Sequence, residues 1–497
     1  MTESWRTDIN PKKRTRDDTM IAAFGPRVFA FSSAAGTVHN RKSATTRDVL
    51  VCAHRYLELP EQTLQEEPSP EVREEIAMYA SESRYFQKYH VPKVETDNSL
   101  SSISAFLLRS IESQHSHQGG TPHSIVRSFA ILKNFIARLS AADRNLVDSI
   151  LGLDQKLFFR SALITWLYMV QKETRGFLYL ENLESFAAPI MGSDVSAFGV
   201  FISRMSCSRD DATEWLVQCR SAKEELKKYF PLYFYNTPLL NLGNYGFDDR
   251  IENRDLSRTM MCPSPGIYLK SATEKCYELV SRNSDRFQVR NPLVVFGEAF
   301  EDYVHEALNF KYGHAFVEKV EPVQGQKRAD FIVESSEFIL VVELKKSLIG
   351  LGDRLEASGV PLLKFYERTG GAFDQIGETI SVRKLDERGK PVIAIVVSEA
   401  NNYTAAARFI TFFVNSGIRR KMNLHLLDVM TIELFERVFL HREPDEILRD
   451  FISRWADFDS NPNGIFAYST AKSEMRPGEE FAGHLEAHLE ELLPTGD

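Results

Sequence analysis

The sequence predicts an α/β fold, with a central mixed sheet flanked by helices, preceded by a mainly α-helical N-terminal domain. Three observations carry that expectation. After Asn291, short strand-like runs alternate with helical ones, the order that lays helices on a sheet. Between about residues 60 and 230, apolar residues recur at helical spacing. The chain has 497 residues, 43% of them hydrophobic and 26% charged, which excludes a disordered or collagen-like polymer and leaves room for two or three cores.

In chain order, residues 1 to 20 are a basic tail expected to stay disordered, because Pro11-Lys12-Lys13-Arg14-Thr15-Arg16 sits in a stretch almost free of apolar side chains. Residues 21 to 285 form the expected helical domain, with a role in recognition or assembly. One helix begins at Pro70-Glu71-Val72-Arg73-Glu74-Glu75. Another spans Ser124 to Leu139, where Ile125, Phe129, Leu132, Ile136 and Leu139 share a face. The aromatic cluster Tyr229, Phe230, Tyr233, Phe234 and Tyr235 is read as core of this domain. Residues 236 to 265, rich in Asn, Gly, Asp and Pro, read as an irregular connection.

Residues 286 to 450 form the second domain. A helix over Val294 to Phe310 is followed by an extended segment, His314 to Val323, and two strands, Arg328 to Glu334 and Phe338 to Lys345. A helical region follows, broken at Gly370-Gly371 and resuming to Arg383. Pro391 to Ser398 is a buried strand, since its apolar run is continuous. A helix over Ala405 to Asn415, a strand over Asn423 to Val429 and a helix over Thr431 to Leu440, N-capped by Thr431, complete the domain. Residues 451 to 497 are an acidic extension, with seven acids against one base from Glu474 onward. It carries an amphipathic helix marked by Leu485, Leu489, Leu492 and Leu493.

No run reaches the length of a membrane span; the most apolar, Phe158 to Val170, is short and contains Arg160. The N-terminus has no apolar signal core. No membrane partner is expected, and the location read from the sequence is cytoplasmic, or nuclear in a eukaryote. The five cysteines are odd in number, widely spaced and without a C-x-x-C pair, so neither a disulfide framework nor a zinc site is expected. A formal charge of −9 argues against non-specific coating of nucleic acid, although the acidic extension supplies much of it and leaves room for local basic surfaces.

The candidate chemistry sits where strands meet charge. If Ser335-Ser336 is a two-residue turn, Glu334 pairs with Glu337, and Asp330 lies opposite Val341 and diagonal to Glu343. Side chains alternate along a strand, so Asp330, Glu343 and Lys345 then share one face. Ile339-Leu340-Val341-Val342 leads straight into Glu343, which puts an acid and a lysine at the end of a buried strand. Such charges are costly unless paired, hydrogen-bonded or coordinated to metal. Taken alone, an Asp followed by Glu-x-Lys reads better as a surface pair where the strand exits to solvent.

Context adds to it. Over residues 291 to 440 the order helix, strand, hairpin, helix, strand resembles the PD-(D/E)XK nuclease superfamily. Gly297-Glu298-Ala299-Phe300-Glu301 is similar to the Gly-x-x-Phe-Glu helix of Mrr-like restriction endonucleases, Asp330 matches the motif Asp, and Glu343-Leu344-Lys345 matches E-x-K. The Pro that usually precedes the Asp is replaced by Ala329. The resemblance implies a restriction-endonuclease-like core and Mg²⁺-dependent phosphodiester hydrolysis, with Mn²⁺ as a substitute. It implies metal ligation by Asp330, Glu343, the Leu344 backbone carbonyl and Glu301, with Lys345 orienting or deprotonating the attacking water. Glu298 is the alternative to Glu301, three residues away on the same helix, and Gln375 matches an accessory polar position. Lys346, Arg368, Arg383, Lys384, Arg419, Arg420 and Lys421 are candidates for holding a nucleic acid backbone.

Other signals carry less. Gly266-Ile267-Tyr268 has no Tyr-Ile-Gly partner, and no P-loop or His-Glu-x-x-His occurs. His115, His117 and His123 lie in a polar stretch, and His484 and His488, four apart, are read as packing residues rather than zinc ligands. The expected function is a nuclease acting on DNA, with the layout of restriction and anti-phage defence effectors, assembling as a homo-oligomer or with a partner protein through the helical domain. A catalytically silent scaffold with the same fold, or cleavage of RNA, are the competing readings.

Overall fold

The structure is a computed structural model and describes residues 122–171, 177–207, 237–241, 259–262, 265–289, 291–321, 328–345, 360–398, 426–440 and 483–493. The helix expected at Pro70, the aromatic cluster at 229–235 and the helix expected over 405–415 lie outside them, as does the basic tail.

The N-terminal half opens with three helices, α1 (Pro122–Ala137), α2 (Ala141–Leu151) and α3 (Gln155–Gln171). Strand β1 (Phe177–Tyr179) and helix α4 (Leu180–Met191) follow, then α5 (Ala197–Met205) after a single 3-10 turn. The predicted face is inside: Ile125, Phe129 and Leu132 of α1 and Leu139 just beyond its end are buried, and Ile136 packs partly buried against the same core. Ser140 caps α2 by accepting the Asp143 N–H at 3.2 Å, and Gly152, at φ 75°, ends it in the left-handed region that glycine tolerates. The run Leu180–Met205, rather than Phe158 to Val170, is the one described segment long and apolar enough to match a membrane span by length and composition. A 3-10 turn at Gly192–Ser196 interrupts it, and Phe198, Phe201, Ile202 and Met205 are buried in the protein core.

One element was not foreseen. Strands β2 (Ser206–Cys207), β3 (Leu239–Asn241) and β4 (Thr259–Met261) join β1 in a small sheet of order β1-β4-β3-β2. The part of 236–265 that is described thus contributes two strands to this sheet. Helix α6 (Pro265–Arg282) then leads to the second half.

There the fold is mixed α/β: a five-stranded mixed sheet flanked by helices. Helix α7 (Pro292–Tyr312) has Pro292 in its first turn and Asn291 as N-cap. Strands β5 (Val317–Lys319), β6 (Phe331–Glu334), β7 (Ile339–Lys345), β8 (Val392–Ser398) and β9 (Leu426–Thr431) lie in sequential order. β5, β6 and β7 pair antiparallel, whereas β7, β8 and β9 run parallel. Helix α8 (Val360–Arg383) makes the crossover from β7 to β8, and α9 (Ile432–Phe439) follows β9 without a break. α7 covers one face, where His305 stacks on Phe331 with ring centroids 5.5 Å apart. α8 covers the other, burying Ala372, Phe373, Ile376 and Ile380.

Two local expectations are corrected. The hairpin tip is Ser336-Glu337, not Ser335-Ser336: Ser335 N–H donates to Phe338 O at 3.0 Å, and Glu334 pairs with Ile339. The Ser335 hydroxyl accepts the Glu337 and Phe338 N–H groups, a local turn that lets Phe338 enter the core. Helix α8 runs unbroken through Gly370-Gly371, because burial of its next turns outweighs about 1 kcal/mol of glycine cost per residue.

Among the described residues one hydrophobic cluster runs from α1 and α3 through α6 and α7 to the α7 face of the sheet, passing residue 286 without a gap. Helix α10 (Gly483–Leu492), the acidic amphipathic helix, packs Leu485 and Leu492 into it. Arg160 Nε donates to the Leu492 carbonyl at 2.6 Å, and Phe129 meets the edge of His488. Beneath lies a buried polar network. Arg127 of α1 binds Glu436 of α9 through Nε at 2.9 Å and Nη2 at 2.6 Å. Tyr303 of α7 donates to the same carboxylate and meets His484 Nε2 at 2.9 Å.

Candidate active site

The tip correction moves every pair sum in the hairpin by two, so the parity of the strands is kept. Phe331 pairs with Val342, and continuing by one residue sets Asp330 opposite Glu343 instead of diagonal to it. The chain bends at Asp330. Its N–H still reaches Val342 O at 3.0 Å, while its carboxylate accepts the Leu344 N–H at 2.6 Å. The Asp330 side chain thereby takes the place that β6 backbone would occupy beside Leu344. In a regular strand the N–H and C=O of one residue point to the same neighbour, so the Leu344 carbonyl faces this gap as well.

Glu343 lies inside the buried stretch of β7, which ends at Leu344, and is 1% exposed. Lys345, two residues on and on the same face, donates to Glu343 Oε1, and to Gln375 Oε1 of α8 at 3.1 Å. Gln375 Nε2 donates in turn to Arg328 O at 3.0 Å. The second carboxylate oxygen, Glu343 Oε2, is buried with no hydrogen-bond partner. Burial, then the charge of Asp330, push the Glu343 carboxyl up to about 8 against the pull of Lys345. Burial also raises Asp330, opposed by the Leu344 N–H and Lys345. Two neighbouring carboxyl groups in one buried place therefore resist carrying two charges.

Glu301 comes from α7, across the other face at the end of the sheet. Burial and the charge of Asp330 raise it, so the two are electrostatically coupled. Lys319 of β5 sits beside it, 3.6 Å from Glu301 Oε2 and 3.8 Å from Asp302 Oδ1. Glu298 turns away to Arg138, just past the end of α1, at 2.8 Å, and Arg138 also holds Asp302. Of the two glutamates only Glu301 lies toward the Asp330 and Glu343 pair. No group of three or more His, Cys, Asp or Glu side chains among the described residues is gathered as a preformed metal cluster.

Asp330, Glu343, Lys345 and Gln375 are thus brought together, with Glu301 at their margin. Of the basic candidates, Arg383 and Lys384 are not. Arg383 binds Glu318 at 2.5 Å and Lys384 is exposed beside Glu387, two helical turns past Gln375 and toward the far end of the sheet. Lys346, Arg419, Arg420, Lys421 and the side chain of Arg368 lie outside the described residues. Two residues of the neighbourhood were missed. Nothing in the Val317–Val320 sequence distinguishes Lys319 from a surface charge. Thr379, buried on α8, accepts the Ala329 N–H at 2.7 Å and follows Gln375 by four residues, a spacing that places both on one helix face.

The donor set fits a hard divalent cation. It offers carboxylate oxygens, one of them orphaned in a buried place, and a backbone carbonyl on the same edge. Compared with protein-family models, curated proteins and solved structures, the chain gives no match.

Proposed function

We propose that this protein is a metal-dependent phosphodiesterase of PD-(D/E)XK type that cleaves nucleic acid, with DNA as the leading substrate. The observation that carries the reading is the pairing of Asp330 with the buried Glu343 and its unpartnered oxygen, set beside Lys345 at the end of a central strand. The element order α7-β5-β6-β7-α8-β8, with β8 parallel to β7, supports a restriction-endonuclease-like core.

Mg²⁺, or Mn²⁺ in its stead, would be held by Asp330, Glu343 and the Leu344 carbonyl with Glu301 reaching its water shell, and when bound it supplies Lewis-acid polarisation of the phosphate and a more acidic water. The residues do the rest. Among the described residues Lys345 donates hydrogen bonds to Glu343 and Gln375, which leaves one of its three N–H groups for a water or a phosphate oxygen. That ammonium orients the attacking water and offsets charge building on the phosphorane as the P–O bond to the leaving oxygen lengthens. Gln375, fixed to Arg328 O, keeps the ammonium from swinging away.

Purified protein is expected to cleave DNA in Mg²⁺, and Glu343→Ala and Lys345→Ala each to lower the single-turnover rate about a hundredfold or more. Unchanged cleavage in both would sink the assignment, and preference for an RNA of the same sequence would move the substrate class. The scaffold reading draws on Glu301, which Lys319 holds. It would be favoured if neither Mg²⁺ nor Mn²⁺ bound in calorimetry.

A further inference from the structure

One peptide group in the site is gripped at both ends by one helix. The bond between Arg328 and Ala329 presents a carbonyl and an N–H. Gln375 Nε2 donates to the carbonyl at 3.0 Å, and Thr379 Oγ1 accepts the N–H at 2.7 Å. The two side chains are one turn apart on α8, and Thr379 also donates to Gln375 O at 2.8 Å, which fixes its rotamer. Thr379 and Ala329 are each 1% exposed, so water does not stand in as a partner there. A buried N–H left without an acceptor is unfavourable, and the chain would shift to find one.

The next residue is Asp330, whose own N–H is tied to Val342 O. Both peptide groups leading into the Asp330 Cα are therefore anchored, the first to α8 and the second to β7. Among the described residues, these are the hydrogen bonds that hold the backbone on the N-terminal side of Asp330. Gln375 carries the same grip on to Lys345, so one helix face sets the position of both charged groups flanking Glu343.

We infer that Thr379 is a positioning residue for Asp330, acting with Gln375 through the Arg328–Ala329 peptide group to hold the Asp330 carboxylate where it can share a divalent cation with Glu343. The inference rests on the nuclease reading of the site. Thr379 touches no reacting atom, and its effect runs through backbone that only Asp330 inherits.

Thr379→Val keeps the shape of the side chain and removes the acceptor. It is expected to weaken Mn²⁺ binding, measured by calorimetry on the full chain without nucleic acid, by about tenfold to a hundredfold. Cleavage should fall in parallel and recover when the cation is raised. Thr379→Ser, which restores the hydroxyl, should recover most of both losses. Ala329→Pro in the Thr379→Val background removes the orphaned N–H and should recover part of the Mn²⁺ affinity. A folded Thr379→Val with wild-type Mn²⁺ affinity overturns the inference. If Thr379→Val does not fold, Gln375→Met frees the other end of the same peptide group at a half-buried position and is expected to show the same loss; wild-type affinity there overturns the inference instead. Glu343→Ala run alongside separates the two ideas: if it too binds Mn²⁺ and cleaves normally the nuclease reading has failed, and if it alone is inactive only the role of Thr379 has.

Discussion

Glu343 concentrates the electrostatic tension of the fold. A carboxyl group 1% exposed, next to Asp330 and with one oxygen unpartnered, is held near 8 by burial and by the neighbouring charge. Its folded value lies above the usual glutamate value of 4.5, because burial and the charge of Asp330 outweigh the ion pair with Lys345. Between those two values the folded protein binds more protons than the unfolded chain, so stability declines as pH rises through the window and levels off above it. The contribution is at most about 1.4 kcal/mol per pH unit. Urea denaturation in chelator should therefore show lower stability at pH 9 than at pH 6, and Glu343→Gln should flatten that slope. Parallel slopes in the two proteins would contradict the assignment. This residue was legible in the sequence, because four consecutive apolar residues running into an acid mark a buried strand that ends in charge. Its direct opposition to Asp330 was not, since a turn displaced by one residue changes every partner while leaving parity intact.

At the scale of elements, α8 shows where local propensity misleads. Gly370-Gly371 reads as a break, yet the helix continues because Ala372, Phe373, Ile376, Thr379 and Ile380 are buried against β7 and β8 on its inner face. Propensity is a small term against several buried side chains. A Cβ added at Gly371 meets nothing within 4 Å. Gly371→Ala is thus expected to raise stability by about 0.5–1 kcal/mol, seen as a higher melting temperature in calorimetry, and a lower one would mean that the helix is distorted at this point. β7 and β8 were readable because continuous apolar runs identify buried parallel strands. The small sheet β1-β4-β3-β2 was not, since strands of two or three residues drawn from distant segments carry no periodicity of their own.

Across the whole molecule, the two halves share a core, and the Arg127, Glu436, Tyr303 and His484 network lies within it. Burial opposes charge on Glu436, but Arg127, His484 and the Tyr303 hydroxyl together hold the carboxyl below its usual value. Removing one partner strands the other charge. Arg127→Met alone should cost roughly 3–5 kcal/mol in denaturation, and adding Glu436→Leu should recover much of it. Additive losses would show that the pair is not coupled. No sequence window reveals this contact, since its partners lie 309 residues apart. Lys133 and Glu491 are separated by 358, and Arg160 from the Leu492 carbonyl by 332. Such separations have a consequence for biosynthesis. During translation Asp330 and Glu343 emerge well before α10, and until residues 483–492 clear the ribosome the apolar surface of α1, α3 and α7 that Leu485 and Leu492 cover lacks this helix. A message cut short upstream of Gly483 would yield chains that hold every candidate catalytic side chain but expose that surface, and they should be captured by chaperones and degraded rather than accumulate.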